Sequence, residues 1–172
     1  MEKHMLALLV QNRSGVLARI SSLFGRRGYN IDSLTVSATE DPDVSHITIV
    51  VQGDDDILQQ IIKQAAKLEE CINVREYGKD TVLVRELLLV KMSLAGDNLS
   101  ALRQVAEIYE AKIVDLTSTT ITMELTGTTI KLDSFLEIMK EHKIIELCRS
   151  GATAMERGSV TGLKSLIGHG AR

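Results

Sequence analysis

The turn Gln11-Asn12-Arg13-Ser14-Gly15 separates an apolar run from an amphipathic one, and its residue types suit the holding of an anion. The first turn of any helix leaves backbone N–H groups unpaired at the positive end of the dipole, where a carboxylate or phosphate binds well. Asn12 offers an acceptor and two donors, and Gly15 lets a ligand approach the backbone closely. The same spacing also describes a plain strand-to-helix turn with Ser14 as its N-cap. At the far end of that helix Gly28 reads as a C-cap and Asn30 precedes the next strand, while Arg26 and Arg27 suit the negative end of the dipole as solvated last-turn residues.

Elsewhere the reactive residue types are dispersed. His4, His46, His142 and His169 have no helical ligand spacing. Cys71 and Cys148 have neither a Cys-x-x-Cys partner nor a neighbouring His, and read as small apolar residues. Asp54, Asp55 and Asp56 open a helix, where carboxylates oppose the positive dipole end, and Glu40 to Asp43 read as a solvated turn. GSVTGLKS, 158 to 165, lacks the glycine spacing and the Gly-Lys pair of a phosphate loop. With no G-x-S-x-G elbow and no definable carboxylate pair, the expectation is a chain without a catalytic site, metal or cofactor of its own.

The elements that must position the loop follow from periodicity. MLALLV (5–10) reads as a strand, and Val16, Ile20, Leu23 and Phe24 fall on one helix face. IDSLTVSA (31–38) and VSHITIVVQ (44–52) alternate and predict a hairpin across the acidic turn. Asp54 is the expected N-cap of a helix with Ile57, Leu58, Ile61, Ile62 and Ala65 inward, and INVREYG follows as a strand. The order βαββαβ then repeats: a strand at 84–95, a helix through Leu99, Leu102, Val105, Ala106 and Tyr109, a hairpin over 112–118 and 119–127, a helix through Leu132, Phe135, Leu136 and Met139, and the strand KIIELCRSG. A repeat of about eighty residues implies two α+β units of ferredoxin-like, split βαβ order. The expected organisation is a first unit over 1–78, a linker over 79–83, a second unit over 84–158 and a flexible tail over 159–172.

Composition narrows the partners. The net charge is −3 and aromatic residues make up 3% of the chain, so neither a basic face nor stacking platforms favour nucleic acid. The apolar run Met5 to Val10 is too short for a signal-peptide core or a membrane span, which predicts a cytoplasmic chain with no membrane contact. MLALLV and ELLLV are apolar on both faces, although such a sheet carries helices on only one side, so the expected cover is a second subunit and the expected state a homodimer.

The run NRSGVLARISSLFGRRGYNIDSLTV closely resembles the N-terminal ACT domain of the small, regulatory subunit of acetolactate synthase, also called acetohydroxyacid synthase. The likeness continues through VRELLLVK, KIVDLT, LTGT and CRSGATAMERG, and spans about residues 3 to 158. The resemblance implies an effector site at a dimer interface, with Asn12, Gly15, Val16 and Leu17 receiving the carboxylate of a branched-chain amino acid, usually valine. Asn30 and Ile31 would approach from the partner protomer, and Val16 and Ile31 would favour a branched aliphatic side chain.

It further implies a regulatory chain of branched-chain amino-acid biosynthesis that activates a large catalytic subunit and confers valine inhibition on it. Thiamine diphosphate, magnesium and FAD would belong to that large subunit. The second unit would serve dimer contacts and coupling to it. The alternative is a free-standing ACT-type sensor acting on another enzyme or regulator. A small ferredoxin-like enzyme for acyl phosphates, using Asn12 and Arg13, is a third and weaker reading.

Overall fold

A computed structural model describes residues 2–78, 81–95 and 98–158. The elements are β1 (Glu2–Gln11), α1 (Val16–Gly25), β2 (Ile31–Ala38), β3 (Val44–Gly53), α2 (Asp55–Ala65), β4 (Cys71–Glu76), β5 (Val82–Ser93), α3 (Leu99–Tyr109), β6 (Lys112–Leu116), β7 (Thr120–Gly127), α4 (Thr129–Met139), β8 (Ile144–Arg149) and β9 (Thr153–Glu156). Both expected βαββαβ orders are present, and the fold is α+β. There are two sheets, a four-stranded antiparallel one in the order β2-β3-β1-β4 and a five-stranded one in the order β6-β7-β5-β8, in which β9 also pairs with β5.

Contacts divide the chain into one compact unit up to Leu83, joined by the residues from Ala152 on, and a second over Val84–Gly151. The described residues 152–158 thus group with the first unit, whereas the sequence placed them with the second. Of the expected linker 79–83, residues 79 and 80 lie outside the described residues, and Val82 already opens β5. The expected tail 159–172 lies outside them as well.

In the first unit, alternate residues of the central strands face the helices. Leu6, Leu8 and Val10 of β1 and Ile47, Ile49 and Val51 of β3 pack against Val16, Ile20 and Phe24 of α1 and Leu58, Ile61 and Ala65 of α2. Each such aliphatic or aromatic side chain contributes about 1.5–3 kcal/mol by burial. Ile57, expected in the stripe, is exposed. Asp54 caps α2 as anticipated, its Oδ1 accepting from the N–H of Asp56 at 2.9 Å. His4 ties three elements together, with Nδ1 2.7 Å from Glu76 on β4 and Nε2 3.2 Å from Asp55 on α2.

The other face of this sheet is covered too, and by the same chain. Register sets Thr35, Thr48, Ala7 and Arg75 in one row across the four strands, with Leu9 opposite His46 in the next. Ala7, Thr48 and Leu9 are 0%, 1% and 2% exposed, although α1 and α2 lie on the opposite side. Residues 152–157, which include β9 and its pairing with β5, are bonded to both edge strands of this sheet. The N–H of Ala152 donates to Ser33 Oγ on β2 at 3.2 Å, and Glu156 Oε2 lies 2.8 Å from Arg75 Nη2 on β4. Five residues of extended chain span about 13 Å, the width of a four-stranded sheet. Ala152 and Ala154 are buried, while Thr153 and Met155 between them are exposed. For β1 this replaces the second subunit that the sequence pattern called for as cover.

Burial on this face perturbs its titratable groups. It lowers the pKa of His46, with Arg75 adding to the effect, and raises that of Tyr77 against the pull of Arg75. Near the end of β4's pairing, burial raises the Cys71 thiol to about 11, against a backbone bond to Asn73. At neutral pH that leaves almost no thiolate, as befits a packing residue.

In the second unit, Leu88, Val90 and Met92 of β5 and Ile121, Met123 and Leu125 of β7 pack on Leu102, Ala106, Leu132, Phe135 and Met139. The opposite face is half polar. Thr120, Thr122, Glu124 and Thr126 of β7 share it by register with Leu87, Leu89 and Lys91 of β5, and Lys91 Nζ lies 3.3 Å from Glu146. Leu87 and Leu89 are 39% and 38% exposed.

One charge is buried among the apolar residues. Glu86 accepts from Thr129 Oγ1 and from Arg149 Nε, and Arg149 Nη1 reaches Asp133 Oδ1 at 2.7 Å. Burial opposes the guanidinium's charge, but its bonds to Asp133 and Glu86 outweigh that and raise its pKa.

Two outcomes follow from these buried polar groups. Arg149→Leu strands the Glu86 carboxylate and lowers the unfolding free energy by about 3 kcal/mol, most of which the double variant Glu86→Leu/Arg149→Leu restores; urea unfolding measures both. His46 takes up a proton near 6.5 in the unfolded chain and only at lower pH in the folded one. Its contribution is therefore intact above pH 6.5 and is lost as pH falls below it. The drop in Tm between pH 7.5 and pH 5 is smaller in His46→Gln than in the natural chain.

Candidate functional site

Loop 11–15 is laced to two other segments before it starts α1. The N–H of Gln11 donates to Glu70 O at 2.8 Å. Asn12 is held twice by the β2–β3 turn, its backbone N–H donating to Asp43 O at 2.7 Å and its Nδ2 to Pro42 O at 2.8 Å. Its Oδ1 has no donor among the described residues and is the remaining acceptor of the exposed amide.

The N-cap position is Gly15 at φ 85°, with no side-chain cap, so Ser14 does not take the capping role that the sequence gave it. A left-handed φ favours glycine, and a Cβ here would meet open space, so the requirement lies in the backbone alone. An uncapped start leaves the first-turn N–H groups of Leu17 and Ala18 without an acceptor among the described residues. Val16 is in the core at 4% exposure, so toward a ligand it presents backbone, while Leu17 is exposed beside the loop.

Asn30 and Ile31 stand at the other end of α1. Its ten residues put them about 15 Å along the axis from Asn12. One chain therefore does not bring the six residues together: Asn12, Gly15, Val16 and Leu17 make one cluster, and Asn30 and Ile31 another. Asn30 is exposed and Ile31 half-buried, at the start of β2, an edge strand of its sheet. The helix ends earlier than the sequence implied. Arg26 is the C-cap, and Gly28, at φ 72°, turns the chain three residues past the last helical residue, Gly25.

Two supports of this second cluster were not read from the sequence. Tyr29 Oη donates to Asp54 O at 2.6 Å and accepts from the Asp54 N–H at 2.9 Å. Its ring lies over Gly53, where a Cβ would come within 1.9 Å of Cε1. The signal available was a glycine between a strand and a strong N-cap, a position that tolerates most residues unless something packs on it. Among the described residues no three His, Cys, Asp or Glu side chains converge as metal ligands, and no helix is long and apolar enough to cross a membrane.

Two βαββαβ units, the first with a glycine-started helix beside a free asparagine acceptor, define a protein of the ACT-domain class. Residues 6–73 match the family model described as the AHAS small subunit-like ACT domain, and residues 85–158 match that of the small subunit of acetolactate synthase. The chain is 43% identical over 157 residues to a probable acetolactate synthase small subunit of Archaeoglobus fulgidus, covering 91% of this chain and 98% of that one. It is 41% identical to the acetolactate synthase isozyme 3 small subunit of Escherichia coli, covering 91% and 96%. The crystal structure of the acetolactate synthase small subunit from Thermotoga maritima superposes with a TM-score of 0.86 at 34% identity, over 93% of this chain and all of that one. The chain belongs to the acetolactate synthase small-subunit family.

Gly53→Ala forces the Tyr29 ring off its seat. It costs about 1–3 kcal/mol, within the range of overpacked sites, and thermal unfolding reads the loss. Tyr29→Ala/Gly53→Ala costs no more than Tyr29→Ala alone if the ring is the only obstacle.

Proposed function

We propose that this chain is the regulatory subunit of an acetolactate synthase in branched-chain amino-acid biosynthesis: it activates the large catalytic subunit and confers feedback inhibition by valine. The observation that carries the reading is the uncapped start of α1, where free N–H groups of Leu17 and Ala18 adjoin the Asn12 amide, in a chain of this family. The valine carboxylate sits on those groups. Gly15 and Val16 contribute backbone, and Leu17 contributes apolar surface.

The second half-site, Asn30 and Ile31, comes from the partner of a homodimer, because α1 separates it from the first within one chain. β2 is an edge strand of its sheet, the position at which a second copy can approach. The six residues thus form two composite sites per dimer. The ACT domain spans 1–78, and the second unit contributes dimer contacts and coupling to the large subunit.

Chemistry resides in the large subunit, which holds thiamine diphosphate, magnesium and FAD; the small subunit has no catalytic site and works beside it in the cytoplasm. For valine to inhibit, it must bind one state of the complex better than another, with a typical coupling of about 1–3 kcal/mol.

The test is acetolactate formation from pyruvate by the same organism's large subunit, alone, with this chain, and with millimolar valine added. Activation that valine reverses is expected. Asn12→Ala and Asn30→Ala should each raise the half-inhibitory valine concentration by about 5-fold to 100-fold, as loss of a buried hydrogen bond does, while activation persists. Valine binding without any effect on the large subunit would instead mark a free-standing sensor.

A further inference from the structure

Asn30 has a task that its own side chain does nothing to prepare for. It is exposed, and among the described residues no hydrogen bond or ion pair holds its amide. A polar group that must meet a ligand has to be held within about 0.5 Å of its working position, so its placement falls to the backbone and to the residues that fix it.

The residues on either side of Asn30–Ile31 are both fastened, and to the same stretch of the first unit. Before the pair, the N–H of Tyr29 donates to Phe24 O at 3.1 Å, and its hydroxyl bonds the backbone of Asp54 while its ring lies over Gly53. After the pair, Asp32 Oδ2 accepts from Gln52 Nε2 at 2.8 Å and lies 3.6 Å from Lys3 Nζ. Gln52, Gly53 and Asp54 are consecutive, so the end of β3 and the cap of α2 hold both neighbours of the dipeptide.

Asp32 is also the extra residue of a β-bulge. Ile31 pairs with Val51 and Ser33 with Val50, which leaves Asp32 without a partner of its own on β3. In a regular strand residues 31 and 34 would face opposite sides of the sheet. The bulge removes that alternation, so Ile31 and Leu34 both pack on the helix-side core. A bulge on an edge strand re-aims the side chains beside it, and here the neighbour is Asn30.

We infer that Tyr29 and Asp32 are positioning residues of the effector site: fastened to Asp54 and Gln52, they fix where Asn30 is presented. They act through Asn30 and not on the effector. The inference rests on the effector reading proposed above and adds which residues set the geometry of its second half.

Tyr29→Phe keeps the ring over Gly53 and removes both bonds to Asp54. Asp32→Ala removes the acceptor for Gln52, whereas Asp32→Asn keeps one. Each variant is assayed with the same organism's large subunit for its half-inhibitory valine concentration, relative to its own valine-free rate. Tyr29→Phe and Asp32→Ala are expected to raise that concentration about 2-fold to 10-fold, the range that one ordinary hydrogen bond accounts for, and Asp32→Asn to leave it near the natural value. In an Asn30→Ala background neither variant adds a further rise, because the group they place is gone. Val74→Ala, which opens a cavity on the opposite edge strand β4 and lowers Tm, leaves valine sensitivity unchanged.

Unchanged sensitivity in both Tyr29→Phe and Asp32→Ala overturns the inference. So does a rise that persists undiminished in the Asn30→Ala background, or an equal rise in Val74→Ala, either of which reduces the two fastenings to general stability. These results leave the effector site standing. A natural chain that binds no valine by calorimetry overturns the effector reading, and the positioning role with it.

Discussion

A four-stranded sheet with both helices on one side leaves its other side to water, and β1 places Ala7 and Leu9 there. The structure of the first unit depends on how that face is closed. Ala152 and Ala154 are buried, and the alternation of the segment turns Thr153 and Met155 outward while β9 pairs with β5. Its two ends meet the two edge strands, Ser33 on β2 and Arg75 on β4. The chain thus passes from the first unit to the second within β5 and returns to the first after β8.

The second unit has the same element order and a different solution. Three threonines and Glu124 on β7, with the Lys91–Glu146 pair, make its open face tolerable in water despite Leu87 and Leu89. Its investment is instead at the rim of the sheet, where Glu86, Arg149, Thr129 and Asp133 lock β5, β8 and α4 together. Burying a carboxylate is costly unless every lone pair finds a donor, and this one is met by a guanidinium and a hydroxyl. The result is a firm anchor at Arg149, three residues before the chain meets the first unit.

Much of this was legible in the sequence, because apolar periodicity reports which face of an element is buried. The strands, the four helices, the doubling and the Asp54 cap follow from that signal. What it could not report was the partner of a buried face. MLALLV is apolar on both sides whether a second subunit or its own chain covers it, and ATAME, with two alanines and one charged residue, carries too little apolar pattern to stand out as a strand. The cap of α1 was misread for a related reason. Ser14 is a strong capping type, but the left-handed φ at position 15 selects glycine, and backbone conformation overrides side-chain preference. Asn12 was legible as a polar loop residue, yet its bonds to Pro42 and Asp43 join segments thirty residues apart, a distance that no local pattern spans.

Affinity sets the energy scale on which an amino acid can act. A ligand bound at millimolar affinity has about 4 kcal/mol of binding free energy in all, and only the difference between its affinities for two states can move an equilibrium. An element held as firmly as the core strands would be beyond its reach. A neutral hydrogen bond contributes about 0.5–1.5 kcal/mol, so the bonds at Ser33 and Thr81 add about 1–3 kcal/mol to the pairing of β9 with β5 and the Arg75–Glu156 pair. The core beneath β1 and the Glu86–Arg149 lock lie well above that scale, so each unit stays intact when a ligand of such affinity binds.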